Sequence, residues 1–203
     1  MTEQAELTTN PHARQRLLEA ALLLFSSKGY AGTSVRELAE TAGVTKPVLY
    51  YYFKSKEGIY LALMEGALGE FYKTAEQALA APGSVTERIC GYCAALLDIF
   101  IERLPVARLV YAIFYGPHQG APHIDFEASF STMLEDMEKL VNEGIASGEF
   151  RQISPKDAAW VIVSQLNTAM EEQLCHTEKP RLDRNGLQRL LALLFEGMKK
   201  CDD

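Results

Sequence analysis

The sequence predicts an all-α fold of about nine helices. Helix start and stop signals recur along the chain, and no stretch shows the sustained period-two alternation that strands require. Apolar residues also return at helical spacing between the breaks. A first helix starts after Asn10 with Pro11 in its first turn. It carries Leu17, Leu18, Ala21, Leu22 and Phe25 on one face and stops at Gly29. Ser34-Val35-Arg36-Glu37 is a capping box that opens a short second helix ending at Gly43, and Thr45 caps a third helix two residues later. Pro47 falls in the first turn of that third helix, where its missing N–H breaks no intrahelical bond.

Ser55 opens a long fourth helix reaching about Ala81. Pro82-Gly83 then interrupts the pattern, and Ser84-x-x-Glu87 forms a second capping box. Breaks at Leu104-Pro105, Gly116-Pro117 and Gly120-Ala121-Pro122 divide the middle into helices of about 85–103, 105–115 and 124–147. Gly148 ends the seventh. Ser154-Pro155-x-Asp157 opens an eighth that runs to about His176. Asp183 caps a ninth with Leu187, Leu190, Leu191, Leu194, Phe195 and Met198 at helical spacing.

With 203 residues, 48% of them hydrophobic, the chain can bury a sizeable core. Its longest apolar runs are far shorter than a membrane span, and its polar N-terminus lacks the features of a secretory signal. No membrane association and a cytoplasmic location are therefore expected. Four cysteines, Cys90, Cys93, Cys175 and Cys201, are too few for a disulfide framework. Cys90 and Cys93 have the spacing of half a metal or redox site, yet no second pair stands nearby. Buried structural thiols are the expectation, with no metal and no cofactor.

The net charge of −7 argues at first against a nucleic-acid partner, but its distribution does not. Residues 1–60 hold seven Lys/Arg and six Asp/Glu, so the acidic excess lies further on. The window from Thr41 to Lys56 holds Lys46, Lys54 and Lys56 and no acidic side chain. Short helix, glycine turn, short helix, with Val35, Leu38 and Ala39 set against Val44, Val48 and Leu49, is the pattern of a helix-turn-helix over residues 33–53. Its second helix would present Thr45, Lys46, Tyr50, Tyr51 and Tyr52 to a major groove.

At these residues the sequence resembles the TetR/AcrR family of one-component bacterial transcriptional regulators. The match runs through Arg16-Leu17-Leu18-Glu19-Ala20-Ala21, Leu24-Phe25, Gly29-Tyr30, Thr33-Ser34-Val35, Leu38-Ala39, Ala42-Gly43-Val44-Thr45 and Leu49-Tyr50-Tyr51-Tyr52-Phe53-Lys54-Ser55-Lys56-Glu57. From Gly58 onward no comparable motif occurs. The resemblance implies a DNA-binding domain over 1–56 and a helical ligand-binding and dimerisation domain over 57–203. It implies that Ser34, Thr45, Tyr50 and Lys56 touch phosphates while Lys46, Pro47 and Tyr51 face the groove. Lys46 is then expected to read guanine, whose O6 and N7 are acceptors. Two positions depart from the family pattern: Tyr52 stands where histidine is common, and Pro47 where glycine is common.

The resemblance also implies a double-stranded DNA operator, a small-molecule effector and a homodimer formed through the last two helices. Tyr92, Tyr111, Phe114, Tyr115, His118, Phe130, Met133, Gln165 and Met170 are the candidate effector-binding residues, although each also fits an ordinary core position. Their character suits a largely apolar molecule. Asp98, Glu127, Glu171 or Glu172 turned inward would suit a cation. Ala158, Ala159, Ser164 and Ala169 are small enough to let another helix come close, and with the leucine stripe of the ninth helix they fit either internal core or a partner's helices. No hydrolase, metalloprotease, P-loop or dinucleotide-binding motif occurs, so no catalytic residues are expected. The expected function is that of a ligand-released repressor; a relative of the same fold that binds ligand or protein without DNA is the alternative.

Overall fold

The computed structural model describes residues 11–116, 120–176 and 178–199. Within them the chain forms α1 (Pro11–Lys28), α2 (Val35–Thr41), α3 (Lys46–Phe53), α4 (Lys56–Leu79), α5 (Val85–Glu102), α6 (Leu104–Tyr115), α7 (Phe126–Ser147), α8 (Pro155–Cys175) and α9 (Arg184–Met198). The described residues contain no strand; one isolated antiparallel bridge joins Phe150 to Lys199.

Local chemistry sets the helix ends where the sequence signals place them. Both capping boxes are closed, each Ser hydroxyl accepting from the backbone N–H of its Glu and each Glu carboxylate accepting from the backbone N–H of its Ser. Asp183 accepts from the Gly186 N–H at 2.8 Å and Ser154 from the Asp157 N–H at 3.3 Å. Gly148 closes α7 in the left-handed region at φ +79. Thr45 differs. It occupies the N-cap position of α3, but its hydroxyl makes no capping bond to the described residues.

Two compact units result. One holds the chain up to Gly69 with Pro105–Ile124, the other Glu70–Leu104 with the residues from Asp125 onward. A single division at 56/57 is the expectation from sequence, whereas the compact units part inside α4 and assign α6 to the first.

In the first unit α1, α2 and α3 pack on one another. The buried stripe of α1 is Ala13, Leu17, Ala20, Ala21, Leu24 and Phe25. Leu18 and Leu22, expected on that face, are only half-buried, because the stripe is displaced toward Ala20 and Leu24. Phe25, Tyr30 and Tyr60 form an aromatic cluster with ring centres 5.2–5.8 Å apart.

In the second unit α7 and α8 form the most extensive pairing, and α5 and α9 complete the core around Ile89, Leu96, Met137, Leu140, Ile162, Leu166, Leu191 and Phe195. Ala158, Ala159 and Ala169 are buried inside this unit, so their small size admits neighbouring helices of the same chain. The leucine stripe of α9 is likewise internal: Leu187, Leu191, Phe195 and Met198 are buried, and Leu190 and Leu194 are half-buried.

Long-range bonds fix the ends of this bundle. Glu149 accepts from the backbone N–H groups of Val85 and Thr86, each at 2.8 Å, and so caps α5 from 63 and 64 residues away. Partial burial works to raise the Glu149 carboxyl, but the bonds from Thr86 and Val85 outweigh it and hold the group below the usual glutamate range. Next to it the Phe150 ring stacks on Phe195 at 5.8 Å and lies against Gly144. A Cβ at position 144 would fall 2.3 Å from the Phe150 ring. Gly144→Ala should therefore destabilise the protein by ~1–3 kcal/mol of overpacking, despite the ~1 kcal/mol that alanine gains in a helix. Urea denaturation measures this, and the additional change Phe150→Leu should restore part of the loss; an unchanged midpoint for Gly144→Ala would contradict the contact.

Candidate nucleic-acid interface

Eight residues form α3, too few to persist as an isolated helix, so its neighbours must hold it in place. Val48, Leu49 and Phe53 are buried on its inner side, against Leu38 and Ala39 of α2 and the α1 stripe. Gly43, at φ +61, makes the turn between the two helices. A Cβ there would meet nothing within 4 Å, so the requirement is conformational: an L-residue at that φ costs ~1–2 kcal/mol. The Val44 N–H then bonds the Ala39 carbonyl at 2.9 Å and closes the turn.

The outer side of α3 carries Lys46, Pro47, Tyr50 and Tyr51, all exposed, with Thr45 exposed at its head. Tyr50 and Tyr51 are about half accessible, an unusual display of aromatic surface for a folded head. Tyr51 meets Tyr52 edge-on at 5.0 Å, and Tyr52 is half-buried. Lys54 follows in a left-handed conformation at φ 64 and donates from Nζ to the Tyr51 carbonyl at 3.2 Å. Phe53 is core, as expected, with the Arg14 guanidinium 5.4 Å from its ring centre.

The other two residues expected at phosphates have their polar groups engaged within the head. The Ser34 hydroxyl donates to Glu37 Oε2 at 2.8 Å while accepting from the Glu37 N–H, so its one proton serves the capping box. Lys56 donates from Nζ to the carbonyl oxygens of Tyr30 and Thr33, both at 2.9 Å, and its ammonium lies 4.2 Å from the centre of the Tyr30 ring.

Sequence reasoning missed Gly58. A Cβ at Gly58 would lie 1.9 Å from the Phe53 carbonyl oxygen, so glycine there lets the end of α3 sit against the first turn of α4. The only cue in the sequence is a glycine inside an otherwise good helix.

The expected effector-binding residues are distributed over both units. Tyr92, Met133 and Met170 belong to the buried core of the second, and Phe130 lies half-buried beside it with its ring 5.5 Å from Trp160. Tyr111, Phe114 and Tyr115 lie on α6 in the first unit, where Phe114 and Tyr115 are exposed. Gln165 lines an open depression on the outer side of α8 with Trp160, Val161, Ser164 and Thr168. His118 lies outside the described residues. The second unit also buries Asp136 and Ser129, which no local sequence signal marks. Asp136 accepts from the Tyr92 hydroxyl at 3.2 Å, and Ser129 pairs with the Tyr72 hydroxyl at 2.7 Å. Burial, then the Asp136 charge, raises the Tyr92 phenol and keeps it protonated.

Cys90 and Cys93 follow the structural expectation. Cys93 is buried and Cys90 half-buried, and burial pushes both thiols up, away from the reactive thiolate form. Cys175 is exposed, and Cys201 lies outside the described residues. Among the described residues no group of three or more His, Cys, Asp or Glu is placed to hold a metal ion, and no helix is long and apolar enough to cross a membrane.

A glycine-turned pair of short helices with an open, acid-free aromatic and basic face defines a helix-turn-helix DNA-binding regulator. Within this chain, residues 17–63 match the family model for bacterial regulatory proteins of the tetR family. The relatives it matches over two thirds or more of its length are named as regulators of transcription. It is similar to the regulator RutR of Escherichia coli strain K12, 27% identical over 170 residues that cover 80% of this chain and 78% of RutR. It is similar also to the transcriptional repressor KstR2 of Mycolicibacterium smegmatis, 28% identical over 68% of this chain and 67% of that protein. Among solved structures, AibR in complex with isovaleryl coenzyme A and operator DNA shares the fold, with a TM-score of 0.64 and 19% identity over 90% of this chain and 98% of that one.

The Lys28–Glu37 contact, 2.6 Å, gives the head a readable titration. The hydrogen bond from Lys28, then those from Ser34, hold the Glu37 carboxyl at about 2. Because the folded-state value is depressed, the stabilisation from this carboxylate is complete above the ordinary glutamate range and is lost only as the pH falls toward about 2. Site-resolved NMR titration should find that midpoint; a midpoint in the ordinary glutamate range would show the Lys28 and Ser34 bonds to be absent in solution.

Proposed function

We propose that this regulator is a homodimeric repressor, acting in the cytoplasm, that leaves a palindromic operator when a small, largely apolar effector binds. The observation that carries the DNA-binding half is the outer face of α3, where Lys46, Pro47, Tyr50 and Tyr51 stand exposed without an acidic neighbour on the helix. Lys46, Pro47 and Tyr51 read bases, while Thr45 and Tyr50 donate to phosphates. The Thr45 hydroxyl, which makes no capping bond, suits that task. Ser34 and Lys56 support the head from behind, in keeping with their engaged polar groups.

The functional division falls after residue 56, with the reading head before it and the effector and dimer domain after it. Dimerisation uses the outer side of α8, where Trp160 and Val161 are exposed, together with Leu193 of α9, which is 65% exposed. Two heads then meet half-sites ~34 Å apart, or a multiple of that, on one face of the duplex. The effector occupies the second unit near Tyr92, Met133 and Met170. There Tyr92 and Asp136 supply a polar anchor in an otherwise apolar setting. AibR, with its acyl thioester ligand and operator, supports a protein of this fold holding both kinds of partner.

Coupling runs through α4, which contributes residues to both units. An effector that lowers operator affinity a hundredfold must prefer the released state by ~2.7 kcal/mol, within reach of one small molecule.

Selection of duplexes from a random pool by the purified wild-type protein tests this reading directly. A palindromic consensus is expected. Lys46→Ala and Tyr51→Ala should each relax the preference at one position and cost ~1–3 kcal/mol there. Recovery of no consensus at low salt would instead favour a ligand-binding or protein-interaction module of the same fold. For the dimer, Trp160→Glu should shift the sedimentation coefficient to that of a monomer while leaving the helical circular dichroism intact. A dimer that persisted would move the interface elsewhere.

A further inference from the structure

Of the lysines in the acid-free window, Lys46 is exposed on the outer face of α3, Lys54 donates to the backbone of α3, and Lys56 differs from both. Its side chain is half-buried, and it reaches back 26 and 23 residues to the carbonyls of Tyr30 and Thr33, both in the loop between α1 and α2. The Tyr30 ring takes up another side of the same ammonium at 4.2 Å. Two charge-assisted bonds and a ring leave this cation coordinated by its own protein.

The loop it holds is constrained at every step. Gly29 bonds back to the Phe25 carbonyl, the buried Thr33 hydroxyl donates to the Gly29 carbonyl at 2.9 Å, and Lys28 pairs with Glu37 across it. The loop delivers the chain to α2, and α3 packs on α2. Two residues beyond Lys56, Gly58 lets the other end of α3 rest on the same helical turn. The first turn of α4 thus holds the helix-turn-helix from both sides, through a side chain at its start and a missing side chain at its finish.

We infer that Lys56 is a positioning residue for DNA reading, a clasp that orients the recognition helix through the loop between α1 and α2, and not a phosphate contact. The inference rests on the DNA-binding reading of the head. It assigns Lys56 a signature different from that of a lysine on the backbone. A phosphate contact supports all sequences alike and releases counterions, whereas a clasp serves only the complex that needs a defined groove register.

The test uses the full-length protein, a duplex enriched by the wild type from a random pool and a scrambled duplex of the same composition. Binding of both is measured between about 50 and about 200 mM salt, where counterion release is readable. Lys56→Met should weaken binding to the selected duplex by about tenfold, as much as one good base interaction provides. Binding to the scrambled duplex and the slope of log K against log salt should not change. If both duplexes weaken alike and the slope falls by about 0.9, the value for one phosphate no longer neutralised, Lys56 is a phosphate contact and the inference is overturned. If neither duplex is affected while circular dichroism shows a folded protein, the clasp has no part in reading, which overturns it equally. Should Lys56→Met fail to fold, Lys56→Gln carries the same comparison, since its amide still donates to a carbonyl and the charge is still gone. A wild type that enriches no duplex would instead remove the DNA-binding reading, and this inference with it.

Discussion

An eight-residue helix presents the exposed face of lysine, proline and tyrosines, and nothing within those eight residues can hold it there. Helix nucleation is unfavourable, and segments below ~12 residues are marginal in water even with strong helix formers. Three of the eight are tyrosines and one is a proline, which are weak formers. Geometry therefore comes from the surroundings. Val48, Leu49 and Phe53 anchor the inner side, Gly43 turns the chain into the helix, and Gly58 lets the far end lie against α4. A glycine on each side, one for its φ and one for its missing Cβ, frames a segment whose side chains are then free to face outward.

The same economy governs charge. The protein is acidic, yet it places Lys46 on an outer face with no acidic residue on the same helix. Acidic groups in the head are turned to internal work: Glu37 closes a capping box and pairs with Lys28, so its negative charge is answered where it stands. In the second unit Glu149 serves the amides at the start of α5, and Glu172 forms a bidentate pair with Arg181. Exposed pairs of this kind contribute little to stability, ~0–1 kcal/mol. The net acidity of the chain therefore says little about what its head attracts.

Helix ends were legible from the sequence because caps are local. Ser34 with Glu37, Ser84 with Glu87, Asp183 with Gly186 and the left-handed Gly148 each declare an end within four residues. The face of a helix and the identity of its partner are not local. Ala158, Ala159 and Ala169 state that something comes close, and the sequence does not say whether that is a neighbouring helix of the chain or another copy. Ser34 and Lys56 show the same limit for polar groups. Their types suit phosphate contacts, while their use within the head depends on carbonyls and a carboxylate that only the folded chain brings near.

The second unit buries two polar pairs that span helices: Tyr72 of α4 with Ser129 of α7, and Tyr92 of α5 with Asp136 of α7. A buried hydroxyl left without a partner costs ~1–3 kcal/mol, so an apolar residue at one member of either pair would leave the other to bear that cost. Tyr60 of the first unit illustrates that cost, since its hydroxyl is fully buried without a partner among the described residues. The paired groups escape it by meeting across helices, which makes each pair a report on helix position. Both pairs converge on α7, and one of them begins on α4, the helix whose first turn holds the reading head. Tyr72 and Lys56 thus belong to one continuous helix.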